Sequence, residues 1–226
     1  MLHLLDNPIW NGLTSGNSHL ANGTDEVKYF DKEVSPLIGM KEYSQGNFDT
    51  LHQLITEDRT LVMLTAFAVE VPEPWQLIRH IKILQLVFTG TLLAPAEDRQ
   101  FIKLQKEHIP GMLALTKMTT PGPFAGRTIE FGNYEGIFSD GELIAMAGQR
   151  TQPRPYIEVS AVCTHPDHHG KGYAGKLITS QLRQITAQSC TPFLHVRSDN
   201  DTAIKLYQKL GFDIRTEIHF NTIRKV

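Results

Sequence analysis

A mixed central β-sheet flanked by helices, an α/β architecture, is the fold class that this sequence predicts. Three observations carry it. Residues 156–163 make a strand-like run that leads through polar residues into Gly170-Lys171-Gly172-Tyr173-Ala174-Gly175, where a helical pattern begins. Two short strands, 134–139 and 142–148, meet at Asp140-Gly141, the favoured dipeptide of a two-residue hairpin. A further strand at 192–196 precedes a helical segment at 201–210 that Gly211 stops.

Taken in chain order, residues 14–25 are rich in Gly, Ser, Asn and Thr without an apolar period, which predicts a loop, and structure resumes near Val27. Leu51, Leu54 and Ile55 stand at helical spacing and predict a short amphipathic helix over 48–55, followed by a strand at 60–67. Residues 70–75 hold two prolines and read as a turn. The apolar stretch 76–93 suits either a helix and a strand or two strands, and Gly90 does not decide between them. Ala94-Pro95-Ala96-Glu97-Asp98 has linker composition and predicts a boundary between an α/β domain of residues 1–95 and a second domain of residues 96–226. Beyond it, residues 107–116 predict a helix with Pro110 in its first turn, where the missing N–H costs little, and Pro121-Gly122-Pro123 ends it. The 3.6-residue period over 175–188 predicts the helix that follows the glycine-rich loop.

Composition narrows the function. With 226 residues, 41% of them hydrophobic and 20% charged, the chain can bury a sizeable core. Lys and Arg number 22 against 24 Asp and Glu, so no basic field draws the protein to nucleic acid or to an anionic membrane, and neither is an expected partner. Two cysteines, Cys163 and Cys190, are too few for a disulfide framework and suit a reducing cytoplasm. The first eight residues lack the basic and long apolar regions of a secretory signal. Residues 81–94, the most apolar stretch, include Lys82 and Gln85 and fall short of the roughly 20 residues a spanning helix needs.

The chemistry concentrates where strand 157–163 passes through Thr164-His165-Pro166-Asp167-His168-His169 into the glycine-rich loop. Glycines let the backbone approach a ligand closely, and the helix N-terminus adds about half a positive charge, so a pyrophosphate is the natural guest. Gly170, Gly172 and Gly175 fit the dinucleotide fingerprint, but the intervening polar residues and the short chain beyond do not fit its repeated βαβ setting. Residues 170–176 also follow a P-loop until Leu177 replaces the Ser or Thr that would hold magnesium, which weighs against a nucleotide hydrolase. His165, His168 and His169 crowd the loop, yet without a cysteine or carboxylate set at zinc spacing they read as solvated loop residues, and no metal is required.

The segment His169-Gly170-Lys171-Gly172-Tyr173-Ala174 resembles motif A of the GNAT acetyltransferase superfamily, with His169 in place of the usual Arg or Gln. A second block, Asn200-Asp201-Thr202-Ala203-Ile204-Lys205-Leu206-Tyr207 with Gly211-Phe212, is similar to that superfamily's motif B. The resemblance extends over residues 102–226, and the N-terminal part is similar to leaders in which a degenerate half of the same fold is expected. It implies acetyl-CoA as co-substrate and a small-molecule or peptide amine as acceptor, with direct attack in a ternary complex. A non-catalytic acyl-CoA-binding or sensing module is the alternative, and a homodimer is compatible with either.

The resemblance also implies roles for single residues. The two central parallel strands, 156–163 and 192–196, splay apart, and Val162, Cys163 and Thr164 would offer backbone to the pantetheine arm, the Val162 N–H facing the thioester oxygen; ordinary ladder pairing is the plain alternative. His169, Gly170, Lys171, Gly172, Tyr173 and Ala174 would hold the pyrophosphate, and Asn200 and Ala203 the pantetheine, although helix capping alone accounts for an Asn at position 200. Lys171 and Lys176 would assist the phosphates, although exposed lysines need no special role. Tyr207 matches a general acid that protonates the departing sulfur, or it simply packs. Glu158 matches a general-base glutamate, or is a solvated or salt-bridged strand residue. Cys163 has no evident activating partner and reads as a structural thiol.

Overall fold

The computed structural model describes residues 3–92 and 101–226. A short helix α1 (Pro8–Leu13) leads into a three-stranded antiparallel sheet of β1 (Ala21–Gly23), β2 (Val27–Phe30) and β3 (Ile38–Met40). Helix α2 (Gln45–Leu54) follows, then β4 (Thr60–Thr65), β5 (Trp75–Phe88) and β6 (Ile102–Lys103). The remainder runs α3 (Ile109–Thr119), β7 (Glu135–Ser139), β8 (Glu142–Gln149), β9 (Tyr156–Thr164), α4 (Tyr173–Thr186), β10 (Thr191–Arg197), α5 (Asp201–Lys209) and β11 (Phe212–Lys225).

Eight strands form the main sheet in the order β4-β11-β5-β10-β9-β8-β7-β6, antiparallel except for the β9–β10 pair. The Asp140-Gly141 turn between β7 and β8 has φ of 51° and 83°, the left-handed pair that matches strand twist. Helices α4 and α5 pack on one face of the sheet, where Ile178, Leu182 and Tyr207 join Leu86, Leu194 and Phe212. On the other face, Met112 and Leu115 of α3 join Ile9 and Leu13 of α1 in the largest core.

One expectation changes here, and another falls outside the described residues. Of residues 76–93, the described ones hold neither a helix nor two strands; most of them belong to the single 14-residue strand β5, inserted between β10 and β11. The expected junction at 94–98 lies outside the described residues, and the main sheet and its core run on both sides of it. Ile9, Phe30, Val62 and Ile83 share one apolar cluster with Leu104, Tyr134, Met146, Ala161 and Ile218. The reason is physical: Leu86 at the centre of the sheet has no buried environment without β10, β11 and α4. The N-terminal segment also braces the β8–β9 connection, since Asn17 Oδ1 accepts from the Gln152 N–H at 2.6 Å and its Nδ2 donates to the Arg150 carbonyl. No helix among the described residues is long and apolar enough to cross a membrane.

Candidate active site

Strands β9 and β10 are in register at Tyr156–Thr191, Ile157–Pro192 and Glu158–Phe193 and then part, although β9 continues to Thr164 and β10 to Arg197. Beyond Phe193 β10 pairs only with β5 among the described residues. The β10-facing edge of β9 beyond Glu158 is therefore an open row of backbone groups, which seek partners wherever they are kept from water.

A bulge lies on the same stretch. Met146 pairs with Cys163 and Gly148 with Ser160, so Ala161 and Val162 together oppose the single residue Ala147, and Ala161 takes a φ of 52°. The extra residue reverses the alternation of the strand. Ile157 and Val159 pack toward Ile185 of α4, whereas Ala161 and Cys163 join the core on the opposite face. Val162 consequently points to the helix side, where it packs with Ala203 and Tyr207.

At the end of β9 the chain turns through residues 166–168 into the glycine-rich loop. Gly170 and Gly172 adopt φ of 76° and 78°, left-handed values that other residues reach only at a cost, and Gly172 is the N-cap of α4. The first N–H groups of that helix have no intrahelical acceptor and point out of its N-terminus. His169 folds back: its Nε2 donates to the Thr164 carbonyl at 2.9 Å, tying the loop to the strand end. The Thr164 hydroxyl is buried without a hydrogen-bond partner, an orphaned polar group on the lip of the open edge. Lys171 reaches His168, whose ring stacks on Tyr173.

Helix α5 closes the helix side of the gap. Asn200 Oδ1 accepts from the Ala203 N–H at 3.1 Å, which accounts for its type as a cap. Tyr207 is 9% exposed and stacks edge-on against Phe212, and its hydroxyl has no hydrogen bond among the described residues. Burial pushes the phenol up to about 12. Cys163 faces away from the gap toward α3, and burial raises its thiol to about 11, as suits a structural cysteine.

Glu158 is enclosed by hydrogen-bond donors. It is fully buried, and its Oε1 accepts from Arg150 Nη2 at 2.6 Å and His195 Nδ1 at 2.7 Å. Its Oε2 accepts from Arg150 Nε at 2.9 Å and the Thr151 hydroxyl at 2.7 Å. Burial alone would raise this carboxyl, but the Arg150 charge and the hydrogen bonds from His195 and Arg150 hold it well below the usual carboxylate range. Both oxygens are thus fully engaged, the environment of a salt-bridged strand residue.

Arg150, Thr151 and His195 are functional candidates that reading the sequence missed. Once β8 and β9 are paired with Gln149 opposite Val159, Arg150 falls opposite Glu158, a cross-strand pair of opposite charge. The chain of contacts continues through Gln85, whose Nε2 donates to the Leu5 carbonyl and to His195 Nε2, and whose Oε1 accepts from Arg215. His195 therefore carries its proton on Nδ1. Arg215 in turn pairs with Asp6 at 2.7 Å.

Comparison with known proteins agrees with this geometry. The family model for FR47-like proteins matches residues 134–220, which include the hairpin, the gap and both motif blocks. A solved GNAT-family protein from Novosphingobium aromaticivorans is 31% identical over 100% of both chains, with a TM-score of 0.92. An acetyltransferase from Sodalis glossinidius is 36% identical over 55 residues, covering 24% of this chain and 39% of its own. The N-alpha-acetyltransferase RimI of Mycobacterium tuberculosis is 36% identical over 84 residues, covering 35% of this chain and 51% of its own. The match thus spans about half or less of these two curated relatives. The end-to-end likeness to the Novosphingobium protein settles the family. With its acyl-CoA N-acyltransferase fold, this chain belongs to the GNAT family of acetyltransferases.

Proposed function

We propose that the protein transfers an acetyl group from acetyl-CoA to an amine by direct attack within a ternary complex in the cytoplasm. The observation that carries this reading is the interrupted β9–β10 pairing, with a bulge on the open edge and a glycine-rich helix N-terminus at its end. The residues present fit the co-substrate. The orphaned Thr164 hydroxyl and the open backbone at Val162, Cys163 and Thr164 suit the amide-bearing pantetheine arm, and the N–H groups over 170–174 suit a pyrophosphate. Because His169 is committed to the Thr164 carbonyl, the phosphate contact rests on Gly170, Lys171, Gly172, Tyr173 and Ala174.

In this arrangement the Val162 N–H, at the bulge, stabilises negative charge on the thioester oxygen. Ala203 and Tyr207 line the helix side, and the Tyr207 hydroxyl donates toward the sulfur. The amine loses its proton to water, since Glu158 is saturated. Positioning and oxyanion stabilisation supply most of the acceleration.

Calorimetry and thermal shift with acetyl-CoA, longer acyl-CoAs, ATP and NAD test the reading, followed by thiol release with amine acceptors. Micromolar or tighter acetyl-CoA binding with turnover is the expected result. A preference for ATP or NAD would overturn it, and binding without turnover of any amine would leave a sensing module.

A further inference from the structure

We propose that the acceptor is an amine that carries a carboxylate, and that Arg150 holds this carboxylate. The inference rests on the acetyl-transfer reading of the same site. A cavity beside the bulge is lined by Phe124, Thr128, Tyr134, Arg150, Ser160 and Ala161 together with the loop at 121–123. It adjoins the stretch of β9 that has lost its β10 partner, where the thioester carbonyl would lie.

The wall of this cavity offers one cation and two free hydroxyls, and no anionic side chain. Arg150 is its one charged group, and Nε and Nη2 are spent on Glu158, which leaves the Nη1 edge without a partner among the described residues. The hydroxyls of Tyr134 and Ser160 likewise have no hydrogen bond among the described residues. Thr128 is committed, donating to the Val34 carbonyl and accepting from the Ala125 N–H. A bare ammonium meets a guanidinium of like charge and no carboxylate to offset it. An anionic group meets a guanidinium edge whose orientation is fixed, because the fork on Glu158 cannot rotate while Thr151 and His195 hold that carboxylate. Glu158 is thus a positioning residue for Arg150.

Size narrows the class. The cavity has room for about one water, ≈ 10 Å³, and is open on one side, so it admits one carboxylate oxygen in place of that water and leaves the rest of the acceptor in the open cleft. Tyr134 sets the floor: its ring lies where a side chain on Gly148 would be, 2.4 Å from an added Cβ. An amine one or two carbons from the carboxylate then lies beside the bulge, which describes a free amino acid. In the reaction the amine nitrogen bonds to the acetyl carbon as the carbon–sulfur bond breaks. The sulfur leaves as the thiol of CoA with one proton, a second proton goes from the ammonium to solvent, and the product is an N-acetyl amino acid.

The test uses the full chain, acetyl-CoA and matched pairs that differ only at the carboxylate: glycine with glycinamide, alanine with alaninamide. Amides have the less basic amine and so more of it unprotonated at neutral pH, so a carboxylate preference must come from binding. The expected result is kcat/KM at least 10²-fold higher for the acid of each pair. Arg150→Met should raise KM for the acid at least 10-fold while acetyl-CoA affinity stays within about threefold. The paired Arg150→Met, Glu158→Gln variant should do the same without leaving a buried charge unpaired. Equal or better use of the amides overturns the proposal, as does failure of every acid while acetyl-CoA still binds. Succinyl-CoA binding more tightly than acetyl-CoA in an Arg150-dependent way also overturns it, by placing the anion on the acyl group. If acetyl-CoA itself does not bind, the acetyl-transfer reading has failed first.

Discussion

His195 Nδ1 stands 2.7 Å from Glu158 Oε1, bridging β9 and β10 at the point where their backbones stop pairing. The last registered pair is Glu158 with Phe193, and this side-chain bond spans the next step, so it fixes where the gap begins. Through Gln85 and Arg215 the same line of contacts reaches Asp6, near the start of the chain, so residues distant in sequence share in holding the gap.

Replacing Glu158 with Gln should destabilise the protein by about 3–5 kcal/mol at neutral pH, because Arg150 is left as an uncompensated buried charge. The effect should fade in acid. The folded-state carboxyl is held below its ordinary value of 4.5, so on acidification the unfolded chain takes up the proton first. The stabilisation from Glu158 is fully present above that value and is lost as pH falls toward the folded pKa. Thermal unfolding of both proteins between about pH 7 and pH 3 should therefore show their melting temperatures converging. A constant offset would mean that the pair is not ionised as described.

A fragment of residues 96–226 should not fold cooperatively, whereas the full chain should melt in one transition. The fragment lacks β5, without which β10 and β11 lose their shared neighbour and Leu194 and Phe212 lose the packing of Leu86 and Phe88. Circular dichroism melts of the two chains decide it. A fragment with its own sharp transition would restore the two-domain picture.

Local chemistry made much of this legible in the sequence. The Asp140-Gly141 turn, the glycine-rich helix start and the Asn200 cap each depend on residues within a few positions of one another. The strand β11 is legible too, since Phe212-Asp213-Ile214-Arg215 and Glu217-Ile218-His219-Phe220 alternate in large part. The place of β5 between β10 and β11 was not, since pairing across more than a hundred residues leaves no local trace. Of the two readings the sequence allows for Glu158, general base or salt-bridged strand residue, its surroundings favour the second. A carboxylate between Ile157 and Val159 in a buried strand calls for a cation, and Arg150 supplies it.

Valine at Gly170 or Gly172 should weaken acetyl-CoA binding at least 10-fold with a smaller effect on folding. A β-branched residue does not readily hold φ near 76° or 78°, so the loop would shift its N–H groups off the phosphates. Neither position has a neighbour that an added Cβ would meet, so the damage is conformational and confined to the loop. Calorimetric affinity that survives both replacements would remove the pyrophosphate from this loop.

Tyr207→Phe should lower kcat by on the order of 10² and leave acetyl-CoA affinity within a few-fold, since phenylalanine keeps the stacking on Phe212 and loses only the hydroxyl. Burial raises the phenol to about 12, so it stays protonated throughout the usual assay range and is always ready to donate. The same shift makes outright transfer to a thiolate with an ordinary pKa near 8.5 uphill by roughly 3.5 units, about 5 kcal/mol. A desolvated thiolate is more basic than one in water, which narrows that difference inside the gap. Tyr207 then acts as a hydrogen-bond donor whose proton moves only as the carbon–sulfur bond breaks. Two consequences separate this from a packing role. The wild-type kcat should show no loss from this group as pH rises to about 10, where an ordinary tyrosine is half ionised and this one stays protonated. Acyl donors with a more acidic thiol should also narrow the gap between wild type and Tyr207→Phe, because a better leaving group needs less help. A phenylalanine enzyme with near-normal kcat toward every donor would leave Tyr207 as a wall of the site and return the proton to water.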